Sequence, residues 1–337
     1  MPVPVHLVGS IGLDTVPEVF SSVGRALGPS LKRIPDGEPG GRRLWISFQY
    51  PLLRASPFLK MEDGARPGMF PPLGVADGVK PEEIRFGELN YAREARASYE
   101  DFQRARKKGD VPAGVRFQVC LPTPFAVVSP FCTREAGPAI EPAYEAAMLR
   151  EVAAICAEIP HGDLAIQWDV CIEMVMWDGR WNRERAMPDM ENALGGRFSR
   201  LSAAVPHGVE LGFHLCYGDL DGKHFIDPVD AVKMVEMSHM LVERAGRPIA
   251  WIHMPVPLGR DDDAFFAPLK TLNLPAGTEL YLGVVHGEDG VEGTKRRMAA
   301  ARKFAPAFGI ATECGMARAR TPDVVNNLIR IHAEAAK

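Results

Sequence analysis

Leu211-Gly212-Phe213-His214-Leu215-Cys216-Tyr217 is an apolar run of strand length that closes on a histidine and a cysteine two positions apart. Side chains alternate across a strand, so His214 and Cys216 share one face, with donor atoms close enough to bind a single metal ion. Segments of helical periodicity flank the run, Met190 to Ala204 before it and Pro228 to Arg247 after it. The same alternation continues outward in both directions. Further strands are expected near His6 to Ser10, Leu31 to Pro35, Arg116 to Leu121, Leu164 to Asp169, Ile249 to Met254, Glu279 to Val285 and Gly309 to Glu313. Helices fall at Val16 to Leu27, Asn90 to Lys107, Pro142 to Glu158, Asp263 to Thr271, Val291 to Phe304 and Thr321 to Ala335. Eight strands with helices between them favour an α/β protein of the closed (β/α)8 barrel type over an open sheet. A length of 337 residues suits one such barrel, so residues 1–337 are expected to form a single domain.

The stretch from Gly37 to Glu88 does not fit the alternation. It is rich in proline and glycine, carries Trp45, Tyr50, Phe58 and Phe70, and reads as an insertion after the second strand. Such an insertion falls among the loops over a barrel's active site, where it would act as a lid or substrate-binding arm; partner binding is the plainer alternative.

Hydrophobic residues make up 46% of the chain and charged residues 24%, the balance of a globular protein with a proper core. A net charge of -4 and a pI near 6.2 give no electrostatic footprint for nucleic acid. The opening MPVPVHLVGS lacks a basic start and a long apolar run, and no stretch approaches a membrane-spanning length, so a cytoplasmic protein is expected. Six cysteines without regular spacing fit a reducing compartment. Neither nucleic acid nor membrane is therefore an expected partner, a small-molecule substrate is, and a homodimer is among the assemblies the sequence allows.

An isolated His-x-Cys is more often core packing than a metal site. Cys314 alters that balance, because Thr312-Glu313-Cys314-Gly315 also follows a strand, and the C-terminal ends of different strands converge over a barrel's mouth. His214, Cys216 and Cys314 would suit zinc with one position left open. For a fourth ligand the first candidate is His253, and His286 and Glu288 follow. Pro35-Asp36-Gly37-Glu38-Pro39-Gly40-Gly41-Arg42-Arg43 brings two acids and two arginines to the same rim. Asp36 and Glu38 fit acid/base work and Arg42 fits a substrate carboxylate, and a charged turn explains the run equally well. His286, after the seventh strand, has a pKa range suited to proton transfer, and a solvated loop histidine is the alternative. Cys120, Cys132, Cys156 and Cys171 read as small buried hydrophobes. Neither a G-x-G-x-x-G turn nor a G-x-S-x-G elbow is present.

Four patches, in conserved order along the chain, give a resemblance: Val8-Gly9-Ser10-Ile11-Gly12, Ile166-Gln167-Trp168-Asp169, His214-Leu215-Cys216-Tyr217 and Cys314-Gly315. The chain resembles the catalytic barrel of cobalamin-independent methionine synthase, and more loosely the epoxyalkane coenzyme M transferases. The resemblance implies zinc ligands at His214, Cys216 and Cys314, and a substrate pocket containing Ser10 and Asp169. It departs from that family in two places. No acid stands in Ala250-Trp251-Ile252-His253-Met254-Pro255, where the family has a further zinc-binding glutamate, and Asp169 is followed by Val170 and Cys171 instead of Glu-Pro. The implied activity is zinc-dependent methyl or other alkyl transfer to a thiol. A zinc-dependent lyase or hydrolase acting on a small oxygenated substrate is the second reading, and a metal-storing scaffold the third.

Overall fold

Seven of the eight expected strands form one parallel sheet in the structure, a computed structural model that describes residues 2–64, 70–180, 187–219 and 222–337. In chain order the strands are β1 (Arg33–Pro35), β2 (Leu59–Met61), β3 (Leu73–Val75), β4 (Arg116–Pro122), β5 (Leu164–Val170), β6 (Glu210–Leu215), β7 (Trp251–Pro255), β8 (Glu279–Val285) and β9 (Gly309–Thr312). The sheet runs β1-β4-β5-β6-β7-β8-β9. Its major helices are α1 (Val16–Leu27), α3 (Tyr91–Lys108), α5 (Gly137–Glu158), α7 (Met190–Ala203), α8 (Val232–Arg244), α10 (Gly290–Arg302) and α11 (Pro322–Ala335). The shorter α2 (Tyr50–Arg54), α4 (Pro124–Phe131), α6 (Ile172–Asp178) and α9 (Asp263–Phe266) complete the set.

The strand expected at His6 to Ser10 is not a ladder. Val5 makes isolated parallel bridges to Leu31 on one flank and Ile310 on the other, and Ser10 and Ile11 do the same with Gly37 and Met316. Between these ends the segment's carbonyls face inward. Gln118 Nε2 donates to Leu7 O at 2.9 Å and Gln167 Nε2 to Val8 O at 2.5 Å, so side chains from β4 and β5 take the acceptors that a regular strand would offer its neighbours. Pro4, which has no amide hydrogen, shortens the pairing further.

Alternation along the strands sorts the residues into two layers. Ile166, Trp168, Leu211, Phe213, Ile252, Leu280 and Leu282 belong to the large apolar core, with α7 adding Leu194 and Phe198 to it. The opposite face of the curl carries Ala165, Gln167 and Asp169 from β5, His214 from β6, Trp251 and His253 from β7, and Tyr281 from β8. Ala165, Trp251 and Tyr281 pack together, and His6 lies against Trp251, His253 and Tyr281. Gly212 is required where it stands, since a Cβ there would lie 2.0 Å from the Trp251 indole. At the end where the strands begin, Arg33 pairs with Glu210 and Glu279 and covers the Trp251 ring. These ion pairs close this end of the sheet, and His214 and Asp169 lie toward the other.

The stretch after β1 is more structured than a bare loop. It contains helical turns at Gly40–Leu44 and Ser47–Gln49, then α2, then the antiparallel pair β2–β3. Tyr50, Leu53, Leu59 and Leu73 are buried in the core; residues 65–69 of the stretch lie outside the described residues. Besides α2 within this stretch, two helices escaped the sequence reading, α4 and α6. Each is a short apolar turn that starts within two residues of its strand, β4 or β5, so its residues merge with the strand's apolar run.

Candidate metal centre and substrate pocket

His214 lies on β6, Cys216 immediately follows that strand, and Cys314 follows β9 by two residues. Their ligand atoms all lie within 4.8 Å of one another, and the two sulfurs are 3.7 Å apart. Zinc–sulfur bonds of about 2.3 Å in a tetrahedron put two sulfurs about 3.8 Å apart, so the spacing fits zinc. His214 Nε2 is buried without a hydrogen-bond partner among the described residues, a costly state for a nitrogen that nothing ligates. The thiols are held in their protonated form. Cys216 is pushed well above the usual cysteine range by its contact with the Cys171 thiol and by burial, and Cys314 by its contact with Cys216 and by burial.

Two glycines allow the turns to approach each other. A Cβ on Gly315 would lie 2.2 Å from Ser10 Oγ. Gly37, at φ +82°, leaves no room for a side chain beside Val19 and Ile11.

The group lies in a narrow pocket of about 50 Å³ that also includes Ser10, Glu38, Arg43, Trp45, Asp169, Cys171 and Arg318. Asp169 is held by its neighbours: Gln167 Nε2 donates to Oδ1 at 2.8 Å and Trp45 Nε1 to Oδ2 at 3.2 Å. Gln167 is itself saturated, its Oε1 accepting from Trp251 Nε1 at 3.2 Å and lying 2.9 Å from His6 Nε2. Burial raises the Asp169 carboxyl to about 7. Glu38 rises to about 8, through burial first and then the charge of Asp169. Both carboxyls are thus held toward their protonated forms, Glu38 in part by the charge of Asp169.

The other rim residues are placed differently. Asp36 is buried and accepts from Ser98 Oγ at 2.6 Å and from the Glu38 amide at 2.9 Å, with Arg42 Nη2 at 2.8 Å. Asp36 and Arg42 pair with each other outside the pocket with the sulfurs. His286 Nε2 lies 2.8 Å from the Val256 carbonyl, and burial lowers this histidine to about 4, so it sits as a neutral ring outside the same pocket. Glu313 is 3.8 Å from it and rises to about 7 by burial. Glu288 does not join the sulfurs. His253 stands behind His214, its Nδ1 2.7 Å from His214 Nδ1 and its Nε2 3.0 Å from Thr312 O, and burial lowers it to about 3.

Of the pocket's charged residues Asp219 and Arg318 went unread in the sequence, while Arg43 and Trp45 were read only as parts of the rim and the insertion, and Cys171 as a small buried hydrophobe. Cys171 had a signal, since Asp169 and Cys171 alternate at the end of β5 as His214 and Cys216 do at β6. A larger cavity of about 760 Å³ between α4, α5 and α7 contains no such group, and its Arg197 and Arg200 are each paired through two bonds, with Glu141 and Glu145.

The class this architecture defines is a parallel α/β fold with a thiol- and imidazole-lined mouth. Among solved structures the chain is similar to a B12-independent methionine synthase from Shewanella sp. W3-18-1 in complex with selenomethionine, at 15% identity and a TM-score of 0.59, over 99% of this chain and 97% of that one. It is also similar to a putative vitamin-B12 independent methionine synthase from Listeria monocytogenes, at 13% identity and a TM-score of 0.57, over 99% of both chains. A methyltransferase from Methanosarcina mazei matches at 14% identity and a TM-score of 0.55, over 99% of this chain and 94% of that one. These likenesses establish the fold. Neither a family model nor a curated protein matches the sequence.

Proposed function

We propose that the chain transfers a methyl or other alkyl group to a thiol acceptor, with zinc held by His214, Cys216 and Cys314 and one position left for the acceptor. The observation that carries this is the close approach of one imidazole nitrogen and two sulfurs beside a buried carboxyl pair. Bound there, zinc would keep the acceptor thiol as a nucleophilic thiolate at neutral pH. The chain's own residues would fix the acceptor's other end. Glu38 and Asp169 suit an ammonium group, whose charge would favour their ionised forms. Ser10, Arg43 and Arg318, which line the same pocket, suit a carboxylate. Asp36 and Arg42 would hold the Glu38 turn in place. In the same reading the N-terminal segment closes the sheet between β1 and β9 into an eight-membered barrel, and a reducing cytoplasmic setting would keep the cysteines as thiols. Among the described residues no helix is long and apolar enough to cross a membrane.

A second reading, a zinc-dependent lyase or hydrolase, draws on Glu38 and Asp169 as proton carriers beside the metal. Metal analysis followed by X-ray absorption at the zinc edge, with and without homocysteine, separates the two. One zinc per chain that gains a sulfur neighbour supports thiol alkylation. Zinc that gains none turns the assignment to the second reading, and a metal-free protein that refuses zinc overturns both.

A further inference from the structure

We infer that His253 is a positioning residue for the metal site: it accepts the Nδ1 proton of His214 and so leaves His214 Nε2 bare for ligation. The proton assignment follows from the chemistry of the acceptors. A backbone carbonyl can only accept, so at 3.0 Å from Thr312 O it is His253 Nε2 that carries the hydrogen. A neutral ring then has its lone pair on Nδ1. The 2.7 Å gap between the two Nδ1 atoms holds one proton, and it belongs to His214. His214 Nε2 is left with a lone pair, and this is the buried nitrogen without a partner that shares the pocket with Cys216 and Cys314.

A doubly protonated His253 would reverse the relay and put a hydrogen on His214 Nε2, facing the sulfurs. The surroundings oppose it. His253 is fully buried, its ring neighbours are His6 and His214, and no carboxylate among the described residues bonds to it. The relay also ties the two halves of the site together. It runs from β6 through β7 to the Thr312 carbonyl at the end of β9, two residues before Cys314, and Thr312 Oγ1 in turn donates to Cys314 O at 2.7 Å. A ligating histidine is usually oriented by a carboxylate, carbonyl or water on its other nitrogen. Here a second imidazole, itself fixed by a carbonyl, takes that part.

The tautomer is a property of the metal-free chain; only its consequence for affinity rests on the zinc reading above. Long-range proton–nitrogen NMR on the full-length, metal-free chain labelled at histidine should show His214 protonated at Nδ1 and bare at Nε2, with His253 bare at Nδ1. A proton on His214 Nε2 overturns the inference. Zinc affinity, read by competition with a chelator, should fall about 10- to 100-fold in His253→Leu. It should recover in His253→Gln, whose amide oxygen can accept from His214 while its NH2 donates to Thr312 O. Unchanged affinity in folded His253→Leu overturns the inference, as does a second imidazole in the zinc absorption spectrum, which would make His253 a ligand. If the expected tautomers are seen but the wild-type chain binds no zinc, the relay stands and the functional reading falls.

Discussion

Glu38 lies at φ 53°, a backbone conformation that non-glycine residues seldom adopt, and its carboxyl is buried beside that of Asp169. Both features run against stability, as expected where geometry serves a ligand. The cost has a sign that can be worked out. The folded-state value of Glu38, about 8, lies above its ordinary 4.5, so the native chain keeps a proton that the unfolded chain releases. That contribution is fully present below about pH 4.5 and is lost as pH rises through about 8. Glu38→Gln should therefore melt at nearly the same temperature as wild type at pH 4.5 and clearly above it at pH 9, a gap on the order of a few kcal/mol. Thermal melts of both chains across that range check it, and parallel curves would count against the buried pair. A second residue-scale expectation concerns the sulfurs. Cys314→Ser should lose most bound zinc while its circular dichroism and melting without metal stay near wild type, because Cys314 sits on the rim and not in the apolar core.

At the scale of elements, the site depends on turns at strand ends meeting without clash. A Cβ on Gly315 would lie 2.2 Å from Ser10 Oγ but 3.4 Å from Ser10 Cβ and N, so Gly315→Ala must turn the Ser10 hydroxyl out of its place in the pocket. Homocysteine binding should weaken a few-fold while zinc affinity stays near wild type, and calorimetry beside a zinc-indicator titration reads both. Trp45 is the other element-scale lever. It stands at φ 54° with its indole N–H on Asp169 Oδ2, the place where the proposed acceptor's ammonium would sit. Trp45→Phe removes that donor, so homocysteine should bind more tightly, by a few-fold in calorimetry. Much of this was legible beforehand. The strands and the His-x-Cys at the end of β6 could be read from alternation, and α1 matches its expected span to the residue because Thr15 caps it and a proline follows within the first turn. Two features were not legible. The segment at His6 to Ser10 has a strand's composition, but Gln118 and Gln167, more than a hundred positions away, claim its carbonyls. His253 has a ligand's composition and lies one layer too deep, since β7 pairs it directly with His214. Register across strands decides both, and one chain's local pattern does not contain it.

For the whole molecule, metal binding, protonation and folding are linked. Cys216 and Cys314 are protonated thiols until a cation displaces their protons, so zinc binding should release protons, and affinity should rise with pH. Because the three ligands come from β6 and β9, at separate places in the sheet, the unfolded chain cannot gather them, and binding must stabilise the fold. Free zinc at 100 times its Kd adds about 2.7 kcal/mol. Unfolding entropy near 2.1 cal/mol/K per residue gives about 0.7 kcal/mol/K over 337 residues, which makes the expected rise in Tm about 4 °C. Calorimetry with and without a chelator should show that rise at pH 8, and a smaller one at pH 6, where more protons compete. In Cys314→Ser the rise should vanish at both values, whereas His253→Leu should keep it only at higher zinc. A rise equal in wild type and Cys314→Ser would mean that zinc acts elsewhere on the molecule, and the mouth would then have to be explained by its carboxyl pair alone.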